Sequence, residues 1–310
     1  MKIGVIGAGN MGENHLRTYA SMPRHCELIG VYDVDQSKRD RAAEQYMITS
    51  FPSLETLLES VDAVSITVPT PYHFEVGMTC IEYGIHMLME KPIASTEDEA
   101  KELQKAAMKA DVTLQVGHIE LFNPLIQTLK TILLKEQLLS IETHRMAPFA
   151  ENTRNVDVVH DLMIHDLYLI HELTGESFDH LHSFGIAETN PSHASVLAKS
   201  KQGTIIELTA SFRSTKKVRT MQILTDNNHI FADLLQNTIT ITKTAEPGGA
   251  TYPKTISENI YIPSFLQPLT LELSDFITNV VNKRTPTVTA QHGIEALKLS
   301  NKISNEIKNN

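Results

Sequence analysis

The feature that most constrains this chain is its first twelve residues. Lys2–Ile6 is a short apolar run rich in β-branched residues. It leads directly into Gly7-Ala8-Gly9-Asn10-Met11-Gly12, after which the pattern turns helical. This is G-x-G-x-x-G in the context that gives the spacing meaning, between a strand and the start of a helix. Gly7 permits the tight turn, Gly9 lets a pyrophosphate approach the backbone, and Gly12 lets helix and strand pack closely. The first N–H groups of the helix, at the positive end of its dipole, then face the phosphates. Glu27–Asp33 reads as a second strand ending in an acid. Asp33 lies 21 residues beyond Gly12, where a carboxylate can bind the adenosine ribose hydroxyls. Such a carboxylate repels a 2′-phosphate and predicts NAD, while Lys38 and Arg39 nearby keep NADP open. The plainer alternative is an ordinary βαβ unit with a solvated Asp33.

Strands predicted at 2–6, 27–33, 62–68, 85–89 and 112–117 alternate with helices at 11–20, 36–46, 53–60, 73–83 and 96–110. That alternation predicts a doubly wound parallel sheet, an α/β Rossmann domain over 1–120. Thr96 and Glu99 form a capping box at the start of the last helix, and Gly84 ends the one before it. After His118 the pattern changes. Asn123-Pro124 opens a helix to about Lys135, a strand follows near 139–145, and a long helix runs from about Asn155 to Leu173, stopped by Gly175. From 180 to 262 the chain reads as strands broken by turns at Lys201-Gln202-Gly203, Asp226-Asn227-Asn228 and Pro247-Gly248-Gly249. Helices near 268–283 and 290–307 finish it. Residues 121–310 are therefore expected to form an α+β domain with a large, mostly antiparallel open sheet. The C-terminal helix near 290–307 is free to pack back on the Rossmann domain.

At 310 residues the chain can bury two cores. A net charge of −10 argues against nucleic acid or an anionic membrane as partner. No apolar run reaches the length of a membrane span, and the N-terminus lacks a signal-peptide pattern. The only cysteines, Cys26 and Cys80, lie in apolar segments and predict buried thiols in a reducing compartment, hence a cytoplasmic protein. An open sheet face predicts association as a homodimer or homotetramer.

Three further stretches carry chemistry. Thr67-Val68-Pro69-Thr70-Pro71-Tyr72-His73 follows the third strand, where ligands of open α/β sheets bind, so Pro69, Thr70 and His73 are candidate cofactor contacts. His73 reads more simply as a helix N-terminal residue than as a catalyst. Glu90-Lys91-Pro92 follows the next strand; Glu90 is a candidate cofactor contact and Lys91 would reach the nicotinamide crevice, unless the two are a surface ion pair. In Asp157–Tyr168, Asp161 and His165 share a helix face at i, i+4. An imidazole can take a proton from an alcohol while hydride leaves the same carbon. Three readings stay open for this helix: catalytic, structural, or a metal site drawing on His160, Asp161, His165, Asp166 and His171. A dinucleotide supplies the redox chemistry itself, so no metal is expected.

Together, Gly7-x-Gly9-x-x-Gly12, Pro69–His73, Glu90-Lys91-Pro92 and Asp161-x-x-x-His165 resemble the glucose–fructose oxidoreductase/inositol dehydrogenase (Gfo/Idh/MocA) family. The resemblance implies NAD(P)-dependent redox of sugars or cyclitols. It makes Lys91 the lysine at the reacting hydroxyl, Asp161 a substrate or orienting acid, and His165 the general acid/base. A narrower likeness, in Val116–Pro124 and Asp161–Leu167, is to members acting on the 3-hydroxyl of UDP-N-acetylglucosamine, although Leu121 stands where those relatives carry Arg. His118 and Asn123 are then substrate contacts. Arg145 and Arg154 are candidates for a diphosphate clamp, against a reading as surface arginines. The cluster Arg213, Lys216, Lys217, Arg219 reads as a solvated face. Dehydrogenation of a free sugar or inositol is the near alternative. A non-catalytic dinucleotide sensor is the distant one, and the intact Lys91, Asp161 and His165 speak against it.

Overall fold

The computed structural model describes residues 1–175, 178–244, 255–263, 265 and 267–309. In chain order the elements of the first unit are β1 (Lys2–Ile6), α1 (Asn10–Ala20), β2 (Glu27–Tyr32), α2 (Gln36–Tyr46), β3 (Thr49–Ser50), α3 (Leu54–Leu58), β4 (Ala63–Ile66), α4 (His73–Glu82), β5 (His86–Glu90), α5 (Glu97–Lys109) and β6 (Leu114–Gly117). All strand pairs are parallel, in the order β3-β2-β1-β4-β5-β6. Every residue of β4 is buried, because helices cover both faces of such a sheet; three of its four residues are apolar, and Ser65 meets the Tyr19 hydroxyl at 2.8 Å. The capping box of α5 is formed, and Gly84 has the positive φ of +69° that ends α4. β3, two residues at the sheet edge, was too short to show any pattern in sequence.

The second unit holds α6 (Pro124–Leu133), β7 (Leu138–Met146), α7 (Ile164–Thr174), β8 (Phe178–Ala187), β9 (Pro191–Ser200), β10 (Ile205–Ser211), β11 (Val218–Thr225), β12 (Asn228–Asp233), β13 (Thr238–Thr244) and β14 (Thr255–Tyr261). These strands form one sheet, β14-β13-β12-β11-β7-β10-β9-β8, antiparallel except where β7 meets β10. One face is buried, with Ile141, Val196, Leu208, Ile223 and Ile230 at its centre. The other carries exposed Phe184, Ile186, Leu197, Ile205 and Leu224, which the strand registers place on a common side. The expected turn at Pro247–Gly249 lies outside the described residues.

The chain is not divided into two consecutive stretches. Residues Gln267–Leu297 group with Met1–Phe122, and Lys298–Asn310 with Asn123–Leu266. The cause is apolar burial. Leu273, Phe276 and Ile277 of α8 (Pro268–Val281) share a core with Ile3, Val5, Leu16 and Tyr19. α9 (Ala290–Asn309) divides between the units: a Cβ at Gly293 would lie 2.9 Å from Val116, whereas Ile307 reaches within 2.8 Å of a Cβ at Gly185. Among the described residues no helix is long and apolar enough to cross a membrane.

Candidate active site

The strand order reverses between β1 and β4, and the Gly7–Gly12 turn sits at the carboxyl end of β1. Gly7 has φ +98°, and a Cβ on Gly12 would stand 1.9 Å from the Gly7 carbonyl oxygen. Around Gly9 a Cβ would meet nothing within 4 Å, so this position faces open space. Gly9 is also the N-cap of α1 and offers no side chain to the first N–H groups, with Asn10 exposed and Met11 half-buried beside it. Asp33 follows β2, and its carboxylate accepts the Ala8 N–H (2.6 Å) and the Asp35 N–H (2.8 Å). Each carboxylate oxygen keeps acceptor capacity for a ribose hydroxyl. Lys38 pairs with Asp35 at 3.7 Å, and Arg39 donates to the Asp33 carbonyl at 3.1 Å. A tight turn, an open Gly9 and bare helix donors fit a dinucleotide; when bound, NAD supplies the hydride acceptor.

At the end of β4, Thr67 Oγ1 donates to the Ile6 and Gly7 carbonyls (3.0 and 2.9 Å). Pro69 is exposed and Thr70 half-buried at the start of a one-turn 3₁₀ helix. His73 opens α4, as its reading as a helix N-terminal residue expects. Its ring is 1% exposed, and both nitrogens meet protein carbonyls: Nδ1 meets Pro92 O at 2.8 Å and Nε2 meets Val68 O at 2.9 Å. No ring nitrogen is left for a cofactor. Burial, opposed by these carbonyls, holds its pKa below the ordinary imidazole value.

Glu90 is likewise an interior group. Its Oε1 meets Nε2 of fully buried His15 at 3.0 Å, and its Oε2 accepts the Lys91 N–H at 3.3 Å. A surface Glu–Lys pair is thereby excluded. Gly117 makes room for Glu90, since a Cβ there would lie 3.2 Å from the carboxylate. Glu272 of α8 is also fully buried, and burial, with the negative charges of Glu90 and Asp275, raises its pKa well above the usual carboxylate value. His15 and Glu272 escaped the sequence reading because each is one polar residue on an apolar helix face. His118, after β6, is 2% exposed; burial first, then the charges of Lys91 and His292, push its pKa down to about 3. The ring is neutral at ordinary pH and lies within the electrostatic reach of Lys91.

In the second unit, the helix expected from Asn155 starts later and opens with a π-helical turn, Val159–Met163, before α7. Asp161 lies in that turn and His165 in the first turn of α7, both half-buried. π-turns cluster at functional sites. Asp157 and His160 have structural duties. His160 contacts Asn301 (2.7 Å) and Asp157 (3.3 Å), and Asp157 also bonds Ser304 and Lys308 of α9. Burial acts to raise the Asp157 pKa, but the hydrogen bonds from His160 and Ser304 outweigh it and bring it down to about 2. Among the described residues no three His, Cys, Asp or Glu side chains are grouped to hold a metal.

Two candidate substrate contacts have partners inside the unit. Arg145 is 2% exposed and holds Asp166 through Nε (3.1 and 3.0 Å) and Nη2 (2.9 Å), so its charge is spent inside the unit. Asn123 is buried, and its side-chain oxygen caps α6 by accepting the Leu125 N–H at 3.0 Å. Arg154 is exposed and pairs with Glu151 at 2.9 Å. Cys26 and Cys80 are free and buried, and burial pushes the Cys80 thiol up to about 12.

The fold and the glycine turn, together with the family and the relative that this chain matches, make it an NAD-dependent oxidoreductase. Residues 1–118 match the family described as "Oxidoreductase family, NAD-binding Rossmann fold" (Gfo/Idh/MocA). Over 243 residues the chain is 34% identical to the UDP-N-acetylglucosamine 3-dehydrogenase of Acidithiobacillus ferrooxidans, covering 78% of this chain and 76% of that protein. A solved structure of that enzyme superposes with a TM-score of 0.93 at 30% identity, over 100% of this chain and 98% of the other. An inositol 2-dehydrogenase/D-chiro-inositol 3-dehydrogenase of Shouchella clausii is 28% identical over 67% of this chain and 64% of its own. The chain belongs to the Gfo/Idh/MocA family.

Proposed function

We propose that the protein is a nucleotide-sugar dehydrogenase that oxidises the 3-hydroxyl of a UDP-amino sugar to a ketone, with NAD preferred over NADP. The observation that supports this reading is the likeness to UDP-N-acetylglucosamine 3-dehydrogenase, which runs through the whole length of the chain. Asp33 at the ribose position favours the non-phosphorylated cofactor. Gly7, Gly9, Asn10, Met11, Gly12, Asp33, Pro69 and Thr70 hold the dinucleotide. His165 takes the hydroxyl proton, Asp161 orients the imidazole or binds the sugar, and the Lys91 ammonium stabilises the oxygen as its proton leaves. The hydrogen on the same carbon departs as hydride, leaving a 3-keto sugar. Neutral His118 lines the sugar pocket beside Lys91 and adds no competing charge. The active form is a homodimer or homotetramer joined through the open sheet face.

The test is reduction of NAD⁺ and NADP⁺ at 340 nm with UDP-N-acetylglucosamine, beside N-acetylglucosamine, glucose and myo-inositol. Turnover confined to the UDP sugar, with NAD⁺, is expected. Lys91→Met and His165→Ala should keep NADH binding while kcat falls by about 10²–10⁴. Turnover with a free polyol alone would replace the substrate, and full activity in both variants would refute the catalytic assignment.

A further inference from the structure

Lys91 stands in a frame of close polar contacts that returns to the glycine turn. On one side, the Lys91 N–H donates to Glu90 Oε2 (3.3 Å), and Glu90 Oε1 meets His15 Nε2 (3.0 Å) in α1, the helix that the turn begins. On the other side, the carbonyl of the next residue, Pro92, meets His73 Nδ1 (2.8 Å), and the opposite corner of that ring meets Val68 O (2.9 Å). Val68 adjoins Thr67, whose hydroxyl donates to Gly7 O at 2.9 Å. Both histidines are at most 1% exposed, so neither contact competes with water. An imidazole presents two nitrogens at opposite corners of a rigid ring; uncharged, it donates through one of them, to Pro92 O or to Val68 O according to the tautomer, and its rigid plane is held between the two carbonyls.

We propose that His73, seconded by the His15–Glu90 pair, is a positioning residue that fixes Lys91 relative to the glycine turn. The frame sets the lysine and the dinucleotide site together. This rests on the reading of Lys91 as the group that serves the reacting hydroxyl. Without the ring, the 90–92 segment keeps its core contacts but loses its tie to the loop after β4. A displacement of about 1 Å at a catalytic group can cost about 10²-fold in rate.

The experiment measures kcat, KM for both substrates and NADH affinity for His73→Leu, His73→Gln, Lys91→Met and the double variant His73→Leu/Lys91→Met, on folded full-length protein. For His73→Leu, kcat is expected to fall about 10–100-fold with NADH affinity within about threefold of wild type. His73→Gln, which restores one donor, should recover part of the loss. The double variant should be no slower than Lys91→Met alone, because His73 acts through Lys91. If Lys91→Met keeps wild-type kcat, the reading of Lys91 fails. If Lys91→Met is slow but His73→Leu keeps kcat, weakens only NADH binding, or multiplies its loss onto that of Lys91→Met, the positioning role is overturned. Should His73→Leu not fold, wild-type kcat in His73→Gln and in His15→Gln would overturn it equally.

Discussion

Arg145 separates two accounts of the second unit. A diphosphate clamp would make it a binding residue, whereas its contacts make it half of a buried ion pair with Asp166. The two side chains are 3% and 6% exposed, with three N–O distances between 2.9 and 3.1 Å. Asp166→Asn keeps the shape and strands the guanidinium, which always stays charged. Breaking one half of such a pair costs about 3–5 kcal/mol. At about 2–4 °C per kcal/mol for a unit of this size, the midpoint should fall by about 6–20 °C. Arg145→Met should cost less, because a stranded carboxyl can take up a proton instead of remaining charged. The double variant Arg145→Met/Asp166→Leu removes both charges and should recover at least about 2 kcal/mol of the summed single losses. Differential scanning calorimetry gives the stabilities, and initial rates at 15 °C give KM for UDP-N-acetylglucosamine, expected within about threefold of wild type in folded Arg145→Met. An Arg145→Met protein with wild-type midpoint and a KM raised tenfold or more would refute the ion-pair argument and restore the clamp.

Three further outcomes follow from particular contacts. In Gly12→Ala the new Cβ, 1.9 Å from Gly7 O, must push turn and helix apart; an overpacking cost of about 1–3 kcal/mol predicts an NADH Kd raised about 10–100-fold, checked by fluorescence titration. The Asp157 pKa is depressed from 3.8 to about 2, so its contribution is fully present above pH 3.8 and lost as pH falls through 2. Asp157→Asn should therefore cost about 2 kcal/mol at pH 7 and progressively less in calorimetry below pH 3.8, and a pH-independent difference would show the contribution not to be electrostatic. Phe184→Glu with Leu197→Glu places charge on the exposed sheet face and should reduce the mass seen by light scattering from a homo-oligomer to the monomer; a wild-type variant mass would place the interface elsewhere.

The fold was largely legible because its determinants are local. β1, the glycine turn and α1 occupy nineteen consecutive residues, and the Thr96/Glu99 cap, Gly84 and Gly175 each mark a helix end by a mechanism confined to a few residues. What escaped was set by distance along the chain. α8 reads as any amphipathic helix; only the fit of Leu273, Phe276 and Ile277 against β1 and α1 assigns it to the first unit. The π-turn at Val159–Met163 leaves no mark on a hydrophobic pattern, because one turn is too short for its changed period to show against that of the α-helix that follows.

The candidate site divides along the same line. Gly7 and Gly12 could be assigned from sequence because a positive φ and a close backbone approach require glycine there, which the residue type itself reports. His73, Glu90, Asn123 and Arg145 could not, because a polar side chain looks alike in sequence whether it meets a ligand or a carbonyl of its own fold. Burial makes the difference. Within 8% exposure or less, each of the four is bonded to the protein: His73 to Val68 and Pro92, Glu90 to His15, Asn123 to Leu125, Arg145 to Asp166. A buried polar group left without a partner costs about 1–3 kcal/mol, so a fold that places one inside must supply that partner itself. The polar residues nearest a motif are then as apt to brace it as to act in it. His73 stands at that boundary, with its ring held by the fold and its effect expected at Lys91.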